Sequence, residues 1–71
     1  MDEFLVLLNA HERCGHSLAV EVRTMKQGDP SSRQTLLTVF PSPRVELRYI
    51  FNQHRALVST WAEPIEGEPH R

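Results

Sequence analysis

The chain has little of what small proteins use for covalent reinforcement or for chemistry. It carries one cysteine, Cys14, so no disulfide can form within it. A secreted domain of 71 residues is ordinarily cross-linked, and the lack of a second cysteine points to a reducing compartment, most simply the cytoplasm. The three glycines, Gly15, Gly28 and Gly67, are scattered, which excludes a phosphate-cradling loop. No nucleophile elbow and no metalloprotease helix pattern occurs. Lys26 is the only lysine among eight basic residues; the rest are arginine, a bias that tracks GC-rich coding. The formal net charge is -1, against the basic excess of a protein built mainly to hold nucleic acid. The longest apolar run is Phe4 to Leu8. It is far short of the ~20 residues of a membrane span, follows two acids, and lacks the cleavage site of a signal peptide.

Size sets a further bound. A chain this short is one domain and buries only about 60% of its unfolded surface. That leaves little room for an enclosed active site unless two chains build it, and self-association into a homodimer would support a small core.

What is present has a clear period. In "MDEFLVLLNAHERCG" the residues Phe4, Leu7, Leu8 and His11 follow helical spacing, and Cys14 extends the stripe as a partly buried filler. Asp2 can cap the start, Glu3 suits the positive end of the dipole, and Gly15 stands where a left-handed residue would close the end. A strand through "EFLVLL" is the competing pattern, but Leu, Ala, Glu and Arg favour the helix.

From Ser17 the period becomes two. In "LAVEVRTM" Leu18, Val20, Val22 and Thr24 share one face. "KQGDPSSR" is a loop by composition. "QTLLTVF" alternates Leu37 and Val39 against Leu36, Thr38 and Phe40, and "PSP" at 41–43 should stop it or put it at an edge. "RVELRYIF" sets Val45, Leu47, Tyr49 and Phe51 on one face. "NQHR" suits a hairpin loop, and "ALVSTWAE" places Leu57, Ser59 and Trp61 together against Ala56, Val58 and Thr60. The expected fold is α+β: one N-terminal helix packed on a four-stranded antiparallel β-meander, spanning residues 1–63. The polar segment 64–71, with two prolines and two glutamates, reads as a flexible tail.

Three constellations carry functional expectations. "HERCGHS" offers His11, Cys14 and His16 as metal ligands, but no second ligand pair accompanies them; His54 and His70 are isolated. A helix ending at Gly15 explains the segment better and directs His16 away from His11; it also sets Cys14 at the wrong end of the dipole for a thiolate. No cofactor is expected. Arg44, Arg48 and Arg55, interleaved with aromatics, are the candidate nucleic-acid surface, although period two separates Arg48 from Tyr49 and Phe51. Last, one helix cannot cover both faces of the sheet. An apolar patch of Met25, Leu36 or Leu37, Ile50, and Trp61 or Val58 by register should therefore remain, with Met25, Arg48, Ile50 and Trp61 the expected contact residues, and such patches mark partner surfaces. The leading expectation is a non-enzymatic interaction module that sterically blocks or tethers a larger protein. By analogy of size and character it is of the inhibitor or adaptor type encoded by phages or mobile elements.

Overall fold

Local chemistry sets both ends of the helix. In the computed structural model, which describes residues 2–65, α1 spans Glu3–Arg13. The Asp2 carboxylate accepts from the Leu5 N–H at 3.1 Å, satisfying one of the orphan donors of the first turn. At the other end the Gly15 N–H donates to Glu12 O (3.0 Å) and the His16 N–H to His11 O (3.1 Å). This pair of bonds is the Schellman closure, and it requires the left-handed φ of +77° that Gly15 adopts.

The strands are β1 (Ser17–Thr24), β2 (Arg33–Ser42), β3 (Val45–Phe51) and β4 (Leu57–Pro64). They form one antiparallel sheet in the order β1-β2-β3-β4. A 3-10 turn, Pro30–Ser32, lies in the β1–β2 connection, where Asp29 accepts from the Ser31 N–H and hydroxyl. The α+β meander expected from the periodicity is the observed fold.

Helix and sheet meet on one face. Phe4, Leu37, Val39 and Phe51 are buried, with Leu7, Leu8, Leu18, Leu47, Tyr49 and Leu57 packed around them. Phe4 and Phe51 stack edge to face, ring centres 5.4 Å apart, a geometry that adds about 1 kcal/mol to the area they bury. The start of α1 is tied to the β3–β4 turn: Glu3 accepts from the Leu57 N–H at 2.6 Å, and Arg55 pairs with Asp2 at 3.3 Å. An 11-residue helix is ~16 Å long at 1.5 Å per residue, whereas the molecule extends 46 Å along its longest axis. Much of the β1–β2 hairpin therefore lies beyond its cover, and Val20 and Val22, on the helix-side face of β1, are 50% and 59% exposed.

Several local expectations are corrected. Leu57 and Trp61 do not share a face. Ile50 pairs with Ser59 but Phe51 with Leu57, so β4 carries one extra residue at Val58. This bulge sends Leu57 into the core and turns Trp61 to the far side. The "PSP" segment does not stop β2 at Pro41. The strand runs to Ser42, and Pro41 sits where the β3 register shifts, after the β1 ladder has ended at Phe40. Cys14 is exposed rather than a filler. Pro64 is not tail; it pairs with Val45, and the Ile65 N–H donates to Arg44 O at 2.9 Å. The rest of the expected tail, 66–71, lies outside the described residues. Among the described residues no helix is long and apolar enough to cross a membrane.

Candidate functional site

The face of the sheet turned away from α1 follows from the register. Cross-strand partners share a face, so one row reads Glu21, Leu36, Ile50, Ser59 and the next Ala19, Thr38, Arg48, Trp61. Leu36 and Ile50 are half-buried by their neighbours, and Trp61 is 42% exposed. No helix or strand of the described residues lies over them. Arg48 holds this patch together. Its guanidinium lies 5.4 Å from the Trp61 ring centre and forms an ion pair with Glu46. The Trp61 indole donates to Glu63 at 3.2 Å, fixing the ring against the sheet. Glu21, Glu46 and Glu63 against Arg23 and Arg48 make the rim of this face net acidic.

Of the four contact residues expected on this patch, the structure brings together Arg48, Ile50 and Trp61. Met25 is exposed on the same side by alternation, but it lies past the end of β1, four residues beyond Glu21. That is ~13 Å further along the strand, with Arg23 between. Leu36 belongs to the patch in its place. Its signal was present in the sequence, since it alternates with Leu37, but two apolar faces on one strand left the choice of side open.

The three arginines of the nucleic-acid expectation are not brought together. Arg44 and Arg55 occupy the turns at opposite ends of β3, and Arg48 lies on the outer face between them. Arg55 is committed to α1: it pairs with Asp2 and its guanidinium lies 5.2 Å from the Phe4 ring centre. Its backbone φ is +65°, a left-handed value uncommon outside glycine, within the turn closed by the Arg55 N–H to Asn52 O and the Asn52 N–H to Ala56 O, both 2.9 Å.

The "HERCGHS" segment forms a cluster of a different kind from the one expected. The Schellman closure turns the chain back, so His16 does not point away from the helix. His11 Nδ1 and His16 Nδ1 are 2.9 Å apart, and His11 Nε2 is 2.9 Å from the Tyr49 hydroxyl. In each contact one atom donates and the other accepts. The chain His16–His11–Tyr49 thus fastens the C-terminal end of α1 to β3. Burial first, and the neighbouring His16 second, hold the His11 pKa below its ordinary 6.5. Cys14 stays outside this cluster, and among the described residues no three His, Cys, Asp or Glu side chains gather as a metal site. The signal was legible in principle: a histidine at the third-last helical position and another just after the closing glycine are neighbours in this motif.

The described residues also frame shallow depressions. One, of about 450 Å³, is framed by the β1–β2 loop with Gln27, Asp29 and Arg33. A second, of about 270 Å³, lies between Val6, Leu7 and Leu57. Neither joins the histidine cluster or the Trp61 patch. Comparison with family models, with curated proteins and with solved structures yields no match in any of the three.

Proposed function

We propose that this protein is a non-enzymatic interaction module. Its outer sheet face docks on a larger protein and blocks or tethers it by bulk. The observation that carries this reading is the Leu36–Ile50–Trp61 cluster, which no helix or strand of the described residues covers on the face opposite α1, and which Arg48, Glu46 and Glu63 steady. Tryptophan and arginine are the residue types that dominate interface energetics, and a ring fixed before binding loses little entropy on contact. Three glutamates against two arginines leave the rim one negative charge in excess, which favours a partner surface with an apolar centre and a basic residue beside it. The single exposed Cys14 fits use in a reducing compartment such as the cytoplasm.

The test is retention of proteins from a cell lysate on the immobilised chain, with and without nuclease, beside a Trp61→Ala variant of unchanged circular dichroism. The reading expects one protein retained after nuclease treatment and released by the substitution. Retention that vanishes with nuclease would overturn it and make nucleic acid the partner, held by a surface other than the dispersed set Arg44, Arg48 and Arg55. In that case affinity should also fall steeply with salt.

A further inference from the structure

Among the described residues both edges of the sheet, β1 and β4, are unpaired, and they are not alike. The β4 edge is interrupted by the bulge at Val58 and closed by Pro64, both devices that discourage a further strand. The β1 edge has neither. Ser17–Thr24 pairs with β2 without a register break and contains no lysine, proline or glycine. The Met25 N–H donates to Ser32 O at 3.2 Å, continuing the β1–β2 ladder. By alternation Ala19, Glu21 and Arg23 then direct their backbone groups toward β2. Leu18, Val20, Val22 and Thr24 direct theirs outward, to the open edge. Val20 and Val22 are also the apolar side chains that α1 leaves uncovered.

We propose that the β1 edge pairs antiparallel with the β1 edge of a second copy of this chain, with the two-fold axis at Val22. In that register Val22 faces Val22 of the second copy, and Val20 faces Thr24. These are residues whose N–H and C=O groups point outward, so the ladder closes with their bonds satisfied. On the outer face Glu21 meets Arg23 of the second copy, and Arg23 meets Glu21, so both charges find an opposite partner. Neighbouring registers lose this match. Centring between Glu21 of the two copies sets carboxylate against carboxylate, which opposes pairing. Centring on Val20 places Glu21 opposite Ala19 and leaves both charges without a cross-strand partner. The product is a continuous eight-stranded sheet. It sets Val22 beside Val22, and Val20 beside Thr24, of the second copy, and places two Trp61 patches on one surface, a symmetric form that suits an isologous contact.

Sedimentation velocity of the full chain across micromolar to millimolar concentration tests this, with substitutions that read the register. Val22→Pro removes an outward N–H while leaving the bonds to β2, so the monomer should keep its circular dichroism and lose its dimer. E21R and R23E each turn two attractive cross-strand pairs into two repulsive ones, and each alone should weaken self-association on the order of tenfold or more. An equimolar mixture of the two should recover a heterodimer, because every cross-strand pair is again of opposite sign. A chain that stays monomeric at every concentration overturns the proposal. So does a dimer indifferent to Val22→Pro, or one that the E21R and R23E mixture fails to restore.

Discussion

His11 is the residue at which stability should respond to pH. Its Nδ1 shares a contact with His16 Nδ1 that two protonated rings cannot make, because both atoms would then be donors. Burial and His16 lower its pKa in the folded chain, so the unfolded chain binds its proton more readily. Stability from this group is present above the unfolded value, near 6.5, and is lost as pH falls through the lower folded value. The melting temperature should therefore drop between about pH 7 and about pH 5, and a His11→Gln variant should show a flatter profile over that window. An equal drop in both proteins would remove His11 from the explanation. At the opposite extreme stands Phe51, fully buried against Phe4. Phe51→Ala should cost about 3–5 kcal/mol, as much as the whole stability of a domain this small. Urea denaturation at neutral pH should find that variant largely unfolded before denaturant is added.

At the scale of elements, the helix and its caps were legible because each signal is local. Asp2, Glu3, the Phe4–Leu7–Leu8–His11 stripe and Gly15 all lie within one turn of the feature they specify. The strands were legible for the same reason, as alternation is read within a few residues. What could not be read depends on a neighbour distant in sequence. The extra residue at Val58 exists only relative to Phe51 and Ile50 on β3, and it reverses the side on which Trp61 lies. Pro41 is tolerated only because the β1 ladder ends one residue before it. The choice between Leu36 and Leu37 for the outer face depended on where α1 docks. His16 was the avoidable miss: the closure predicted at Gly15 already implied its return to His11. Gly15 itself has open space around the position of an added methyl group, so a substitution there strains only the backbone. Gly15→Ala should lower stability by about 1 kcal/mol, readable as a shift in the urea midpoint with unchanged slope. A loss several times larger would mean that the histidine contact beyond it also breaks.

For the whole molecule, the governing fact is that one short helix faces a sheet with two sides and a long projecting hairpin. The helix side supplies the core; among the described residues the other side and the β1 edge are left over. Apolar groups left in those places are the basis of both the docking and the pairing readings. The division of labour between the two faces is the central claim, and one double substitution tests it most directly. Replacing Ile50 and Trp61 with threonine keeps strand propensity while deleting the apolar centre of the outer face. Thermal unfolding and affinity for the protein retained from lysate are then measured on the same variant. The account predicts a melting temperature within a few degrees of the parent, as expected for surface changes, and affinity weakened on the order of thirtyfold or more. Undiminished binding, or collapse of the fold as in Phe51→Ala, would show that this face is not the docking surface described.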